Sequence, residues 1–390
     1  MKDWLVSKED FESELSKKFE KAYFLKKNAS KLHDYFSCDD AEAYLKNNEG
    51  WLQNILMLYQ NGQDFPIPAN LKLNAKGQFN YVLDAFKSGA TLKLEELEKR
   101  NFTISEVCRY FENIFGGKSW CKAFWTSFDE EGVPAHFDTT SIVVVQIDGA
   151  KVWQLWDGLL EMPNSSMAYS LNHSQLGKPK TEVTLEAGDI LYLPAGVPHA
   201  AKSVDNHSLH LGFAIEPISY LDVLVHGLKL VAQETPELRK SIIDCAAQNE
   251  SEIISNFLSK IDQGVLNNFF REYKFSLFAN YISTTKSQLR TLSQAKLGKG
   301  MFRRTNERCP EIKKYDDEIK IAIPSQIISE KPVVVGDPDY LSLPLECAAL
   351  VDTMLNGDAF VPELLESEFD ESAHKGLVNI MLDAGLITVV

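Results

Sequence analysis

Polar and apolar positions alternate most regularly in the middle of the chain. Residues 141–147 (SIVVVQI) are rich in β-branched side chains, and this composition predicts a strand. Asp148 and Gly149 follow at once, and because glycine tolerates the positive φ of a type I′ turn, the pair predicts a tight turn. A second strand is expected over residues 150–156. The pattern therefore predicts a β-hairpin.

The same alternation predicts which side chains of the hairpin share a face. Residues two apart in a strand point to the same side, so an inward Asp138 implies an inward Gln146. A tight turn at residues 148–149 puts Gln146 opposite Lys151, and cross-strand partners share a face. Lys151 is therefore expected to point inward, where a lysine is costly unless an anion such as a small dicarboxylate pairs with it. The alternative is a β-bulge that shifts the register and leaves Lys151 in solvent.

A further polar group is expected where the next strand ends. Residues 190–193 predict a short apolar strand, and the Pro-Ala-Gly-Val-Pro segment after it predicts a bend that presents His199. The strand expected over residues 208–215 carries small or polar side chains on one face. Ser208 and His210 lie on that face and are candidates to support the site.

Two histidines and one aspartate are the candidate metal ligands: His136, Asp138 and His199. Two imidazoles and one carboxylate can occupy one face of an octahedral Fe(II) and leave three positions open. An oxygenase needs open positions, because its co-substrate and O2 must both reach the metal. A His-x-Asp pair alone is a weak signal in a chain with eight histidines. The strands predicted around it make the signal stronger.

Three segments together resemble the JmjC-type Fe(II)/2-oxoglutarate oxygenases, and most of all their ribosomal-oxygenase (cupin-4-like) branch. They are HFD at 136–138, IDGAKVWQLW at 147–156 and LEAGDILYLPAGVPH at 185–199. The resemblance implies an α+β fold with a double-stranded β-helix (jelly-roll, cupin/JmjC) core. It also implies that Fe(II), 2-oxoglutarate and O2 take part in the reaction.

The resemblance assigns roles to individual residues. His136, Asp138 and His199 would bind iron and form the catalytic centre. Lys151 would pair with the far carboxylate of 2-oxoglutarate, in agreement with its expected inward position. Further co-substrate contacts are expected from three hydroxyl side chains: Thr126, Ser127 and Ser208.

Three domains are expected along the chain. A JmjC/cupin catalytic domain with a helical N-terminal part covers 1–215, a helical dimerisation region 216–310, and a winged-helix-like domain 311–390. Helical spacing of apolar residues predicts helices over 9–19 and 91–115. The dimerisation and winged-helix assignments follow from the resemblance, which implies a homodimer.

Composition sets the expected surroundings. The net charge is −15 over 390 residues, and an acidic chain disfavours non-specific binding to nucleic acid. We therefore expect no direct DNA binding, and a neutral or basic partner. The six cysteines show no CxxC spacing, and no signal peptide or membrane-spanning run is expected, so the predicted location is cytoplasmic. The basic stretch 298–314 is expected to be a loop.

The favoured function is hydroxylation of a polypeptide side chain, an Arg or His of a ribosomal protein, by a 2-oxoglutarate-dependent dioxygenase. Lys122 and Phe124 stand where the family usually has Asn and Tyr, which leaves room for another protein or a peptide natural-product precursor as substrate. Other metal cupins usually show His-x-His with a nearby Glu, and here Asp138 replaces the second histidine. A non-catalytic metal-binding cupin is the remaining alternative. Hydroxylation is favoured over demethylation, since no histone-reading module is expected.

Overall fold

The computed structural model describes residues 3–60, 63–64, 68, 77–127, 133–168, 171, 176–240, 250–279, 301–304, 310–323 and 340–389. The chain divides into two compact units, Met1–Pro217 and Ile218–Val390. No helix within these ranges is long and apolar enough to span a bilayer.

A nine-stranded antiparallel sheet forms the centre of the first unit. Its strands are β1 Phe24–Lys26, β2 Leu56–Gln60, β3 Gln63–Asp64, β4 Thr91–Leu94, β5 Lys118–Thr126, β6 Ser141–Leu155, β7 Thr181–Glu186, β8 Ile190–Leu193 and β9 His199–Glu216. They pair in the order β1-β8-β6-β9-β5-β4-β2-β3, and β7 pairs with β6. Because β6 pairs first with β8 and then with β7 while β9 follows it throughout, the sheet folds over on itself. This is the predicted double-stranded β-helix core.

The predicted hairpin at Asp148 and Gly149 is wrong. Residues 141–155 form one continuous strand, β6, and the Asp-Gly pair lies in an irregular, bulged stretch of its pairing with β9. Gly149 has a φ of 64°, and a Cβ added there would lie 1.9 Å from the carbonyl oxygen of His207. Glycine is therefore needed for a bulge and a close backbone approach. The local signal is the same as for a turn, but β9 offers hydrogen-bond partners on both sides of it.

Helices pack beside this sheet. They are α1 Lys8–Lys18, α2 Cys38–Asn47, α3 Leu52–Ile55, α4 Gln78–Lys87, α5 Leu97–Arg100 and α6 Phe102–Phe115. The helix predicted over 9–19 is confirmed by α1, whose N-cap Ser7 accepts a hydrogen bond from the Asp10 backbone. The helix predicted over 91–115 is wrong in its first part, because residues 91–94 form β4 between β2 and β5.

The second unit combines helices with two small sheets. Its helices are α7 Tyr220–Glu234, α8 Glu250–Leu258, α9 Gln263–Ala279, α10 Ala348–Leu355 and α11 Glu371–Asp383. Its strands are β10 Phe302–Arg304, β11 Ile312–Lys314, β12 Glu318–Ala322, β13 Tyr340–Pro344 and β14 Ile387–Val389. Met354 and Met381 lie in a shared core beneath α10 and α11. The winged-helix assignment and the boundary at 310 stay predictions.

Candidate active site

The backbone holds the two candidate histidines side by side. The His136 amide donates to the His199 carbonyl at 3.1 Å, and the His199 amide donates back to the His136 carbonyl at 2.8 Å. The Gly196 amide donates to the Asp138 carbonyl at 2.9 Å. This pairing joins the segment before β6 to the first residue of β9, so ligands far apart in the sequence meet at one point.

Both imidazoles present the same nitrogen to the site. Nδ1 of His136 lies 2.8 Å from the Pro134 carbonyl oxygen, and Nδ1 of His199 lies 3.0 Å from that of Val197. A carbonyl only accepts hydrogen bonds, so each Nδ1 carries a proton and Nε2 is the nitrogen that each ring offers to a metal. The two backbone carbonyls thereby prepare both rings as metal ligands.

The carboxylate of Asp138 faces both Nε2 atoms. Its oxygens lie 4.0 Å from Nε2 of His136 and 3.6 Å from Nε2 of His199. One donor atom from each of the three side chains lies within 4.8 Å of the others. Burial, followed by the nearby His136, lowers the pKa of His199 to about 4. His199 is therefore neutral near pH 7, which is the form that binds a metal.

Lys151 points inward, and the solvated alternative is wrong. Lys151 is 2% exposed. The bulge at residues 148–149 shifts the alternation of the strand by one residue, so that Lys151 points inward. The predicted hairpin would have pointed it to the same side. Nζ of Lys151 donates to the Thr126 hydroxyl at 2.8 Å, and that hydroxyl also accepts from Thr91 at 3.2 Å. Burial lowers the pKa of Lys151 to about 7. No ion pair among the described residues includes it.

One cavity of about 480 Å³ joins the histidines, Asp138 and Lys151. Two buried ring nitrogens of residues that line it, Nε1 of Trp153 and Nδ1 of His210, have no hydrogen-bond partner among the described residues. Burial, then Lys151 and His199, hold the pKa of His210 well below its usual range. A buried cation without a counter-ion and two buried polar atoms without partners indicate a polar ligand.

None of the three predicted co-substrate residues, Thr126, Ser127 and Ser208, is among the residues that line this cavity. The Ser208 hydroxyl accepts a hydrogen bond from Nε2 of Gln146 at 2.8 Å, and the Ser127 carbonyl accepts from the Ser203 hydroxyl at 2.7 Å. The Ser208 hydroxyl is therefore already hydrogen-bonded to Gln146. Ser127 lies just after the last residue of β5. The Thr126 hydroxyl accepts a hydrogen bond from Lys151. Of the three predicted hydroxyl residues, Thr126 is therefore the one that contacts the predicted co-substrate lysine.

The cavity is also lined by three residues that were not predicted from the sequence: Tyr59, Lys93 and Trp120. They lie at its other end, together with Lys122 and Phe124. Tyr59 and Lys93 come from β2 and β4. The alternation in Thr-Leu-Lys-Leu at 91–94 was the available signal for β4.

Glu95 lies beside this end of the cavity. Its carboxylate lies 2.9 Å from Nζ of Lys93 and 3.4 Å from Nζ of Lys122. The Phe124 ring stacks on His210 at 5.0 Å between ring centroids. In the part of the chain that the structure describes, the two lysines thus share one carboxylate.

Comparisons with known proteins agree with this geometry. The JmjC domain family matches residues 98–223. The bifunctional lysine-specific demethylase and histidyl-hydroxylase NO66 of Dictyostelium discoideum is 27% identical over 240 residues, 57% of this chain and 45% of that protein. Ribosomal oxygenase 1 of Danio rerio is 30% identical over 169 residues, 41% of this chain and 31% of that protein. The chain thus covers less than half the length of these curated relatives.

A solved structure extends the likeness of fold to nearly the whole chain. The ribosomal oxygenase YcfD of Escherichia coli, solved with cobalt and 2-oxoglutarate, superposes with a TM-score of 0.54 over 98% of both chains, at 13% identity. At that identity the likeness concerns the fold alone. Residues 98–223 match the JmjC domain family, and the chain is similar in sequence and in fold to the ribosomal oxygenases.

Proposed function

We propose that the chain is an Fe(II)- and 2-oxoglutarate-dependent oxygenase that hydroxylates a polypeptide side chain. One observation carries the proposal: a His-Asp-His donor set and a buried lysine without an ionic partner among the described residues line the same cavity. The relatives named as hydroxylases and oxygenases support it. They are longer than the matched region, so their activities come to this chain as a proposal.

The donor set fits Fe(II). His136 and His199 offer neutral nitrogens and Asp138 offers a charged oxygen, which is the combination that non-haem Fe(II) oxygenases use. Bound Fe(II) supplies the activation of O2, coupled to oxidation of the keto acid. The carbonyls of Pro134 and Val197 keep both imidazoles oriented, so each ring presents Nε2 to the site.

The cavity also fits a dicarboxylate. Lys151 would donate to the far carboxylate of 2-oxoglutarate, and Thr126 would hold the ammonium in position through its 2.8 Å hydrogen bond. Binding of an anion favours the charged form of Lys151, which burial alone disfavours. Ile142 and Val144, which line the same cavity, would keep water away from the keto acid.

The favoured substrate is a ribosomal protein, hydroxylated on an Arg or His side chain. The names of the relatives, histidyl-hydroxylase and ribosomal oxygenase, support the ribosomal protein and the histidine. Lys93 and Lys122 line the cavity, however, and among the described residues Glu95 is their one carboxylate partner. An arginine entering there would meet like charges, whereas a neutral imidazole would not. This observation favours histidine over arginine. It also supports a second candidate, another polypeptide with a neutral or acidic target side chain.

Anaerobic absorption spectroscopy tests the co-substrate proposal. The purified chain is mixed with Fe(II) and 2-oxoglutarate, and the visible charge-transfer band of a chelated keto acid is recorded. We expect the band in the wild type and not in His136→Ala. A wild-type protein that gives no band, while it holds zinc or no metal, would favour the non-catalytic metal-binding cupin.

Mass spectrometry of candidate substrates tests the reaction type. Peptides of ribosomal proteins are incubated with the loaded enzyme, and matched peptides carry Arg or His at the target position. We expect the gain of one oxygen atom on a side chain. Because the name of one relative includes a lysine-specific demethylase activity, methylated lysine peptides belong in the same panel. Loss of methyl groups without any hydroxylated product would contradict hydroxylation.

We further propose a homodimer, a cytoplasmic location and no direct contact with DNA. Helix α7 supports the dimer, because Leu221, Leu224 and Leu228 are exposed along it. Light scattering on the wild type and on Leu224→Glu would measure the mass in solution. A monomeric wild type would contradict the dimer.

A further inference from the structure

A second group of metal-ligating side chains lies outside the active-site cavity. It consists of Cys38, Asp148 and His207, none of which lines that cavity. Cys38 is the first residue of α2, Asp148 lies at the bulge of β6, and His207 lies on β9. Three separate elements of the first unit therefore bring a thiol, a carboxylate and an imidazole together.

The three donor atoms form a nearly equilateral triangle. Sγ of Cys38 lies 3.3 Å from Oδ2 of Asp148 and 3.6 Å from Nε2 of His207, and that Nε2 lies 3.2 Å from the same oxygen. For tetrahedral zinc with ordinary bond lengths, the corresponding edges are about 3.5, 3.6 and 3.3 Å. The measured edges differ from these by only about 0.2 Å at most, so one cation could bind all three atoms with little movement.

Two local features hold the segments that carry this triangle. Gly149 approaches the His207 carbonyl so closely that a Cβ could not fit between them. Asp148 is therefore held beside β9 by the bulge itself. Ser37 and Asp40 form a capping box at the start of α2, which fixes the helix end that carries Cys38.

We propose that Cys38, Asp148 and His207 bind a thiophilic divalent cation, with zinc as the best fit. Thiolate, imidazole and carboxylate are the three ligand types of zinc sites in proteins. The Asp148 side chain is 54% exposed, so the fourth position opens to solvent and takes a water molecule. Binding releases the thiol proton to solvent and ties α2 to β6 and β9. No redox step is involved.

Two other interpretations compete with a metal. The same distances allow a hydrogen-bonded cluster in which Asp148 accepts from the thiol and from the imidazole. A reactive thiolate is disfavoured, because burial, followed by the hydrogen bond to Asp148, raises the pKa of the Cys38 thiol to about 12. The hydrogen-bonded cluster is therefore the interpretation that an experiment must exclude.

Titration of the whole, metal-free chain with Co(II) separates the two. Cobalt bound to a thiolate gives a sulfur-to-metal charge-transfer band in the near ultraviolet, and the His136-Asp138-His199 site contains no sulfur. We expect two equivalents to bind to the wild type, one of them with the sulfur band. Cys38→Ser should lose the band and keep one equivalent, which also shows that the variant folds.

Two controls sharpen the assignment. Cys347→Ser changes another partly exposed cysteine and should keep the band. Asp138→Ala should keep the band while it loses the other equivalent. His207→Gln removes a ligand without touching sulfur, and should weaken zinc binding at this site by at least about tenfold, since even indirect partners of metal ligands cost that much.

Two results would overturn the proposal. One is a wild-type chain with no sulfur band at saturating Co(II), which would leave the hydrogen-bonded cluster. The other is a band that persists in Cys38→Ser, which would assign the thiolate to a different cysteine. Neither result depends on enzymatic activity, so these titrations test the second metal site independently of the proposed oxygenase function.

Discussion

The two ends of the active-site cavity differ in how tightly the chain constrains them. At the inner end, His136, Asp138 and His199 are held by backbone hydrogen bonds, and Lys151 is buried against Thr126. The outer end is lined by side chains from β2, β4 and β5, and among the described residues its two lysines share one glutamate. The comparison indicates that the inner end fixes the chemistry, while the outer end selects the substrate.

Loss of a metal ligand should have the largest effect. Asp138→Ala removes the charged ligand, so we expect turnover to fall below detection while circular dichroism and the melting temperature change little, since Asp138 adds little to the core. His33→Ala is the matched control, because the His33 side chain is 39% exposed and its one ion pair among the described residues is with Asp34. Near-normal activity in Asp138→Ala would mean that the metal site is wrongly assigned.

Removal of the inner cation should come next in size. Lys151→Ala removes a charge-assisted hydrogen bond worth about 1.5–3 kcal/mol, which corresponds to a rise of roughly 10- to 150-fold in the 2-oxoglutarate requirement. The Fe(II) requirement should change far less. Lys122→Ala, at the outer end, is the control and should leave both requirements unchanged. If Lys151→Ala and Lys122→Ala raised the 2-oxoglutarate requirement equally, the inner end would not be the part of the cavity that binds the co-substrate.

The pH dependence of co-substrate binding should also come from the inner end. A dicarboxylate binds the charged form of Lys151, whose pKa in the free chain is about 7. As pH rises above 7 the lysine is increasingly neutral, and binding must then take up a proton. The 2-oxoglutarate affinity should therefore fall by up to about tenfold per pH unit between pH 7 and 9. Lys151→Met should give a flat profile, and a wild type that is flat as well would contradict the assignment.

The outer end should show the smallest effect. Lys122→Ala removes one of the two like charges facing an incoming basic side chain, so Arg peptides should gain a few-fold in kcat/KM. The Lys122 side chain is 30% exposed, so salt partly screens its charge and the gain should shrink in high salt. Neutral peptides of the same length are the control. A loss of activity toward Arg peptides would instead make Lys122 a required contact.

The inner end was the more predictable of the two from sequence. The metal ligands sit in motifs that span only a few residues each, and strand parity gave the inward position of Lys151. The turn predicted at Asp148 and Gly149 was wrong, because these residues form a bulge within one strand. A glycine with positive φ serves either purpose, and only the position of β9 decides between them.

The outer end and the second metal-ligand cluster depend on pairing over long distances. Lys93 reaches the cavity because β4 joins the sheet between β2 and β5, yet its segment also fits helical spacing. Cys38 and Asp148 are 110 residues apart, and His207 is 59 residues from Asp148. No local pattern links residues at such separations, so the cluster becomes visible only in the folded chain.

One measurement tests the central claim, that the metal triad and Lys151 together hold a dicarboxylate keto acid. Anaerobic Fe(II) titrations monitored by the charge-transfer band would compare 2-oxoglutarate with pyruvate, which lacks the far carboxylate, in the wild type and in Lys151→Met. We predict that the wild type binds 2-oxoglutarate at least about tenfold more tightly, as one charge-assisted hydrogen bond allows, and that Lys151→Met binds both alike. An undiminished preference for 2-oxoglutarate in Lys151→Met would contradict the account.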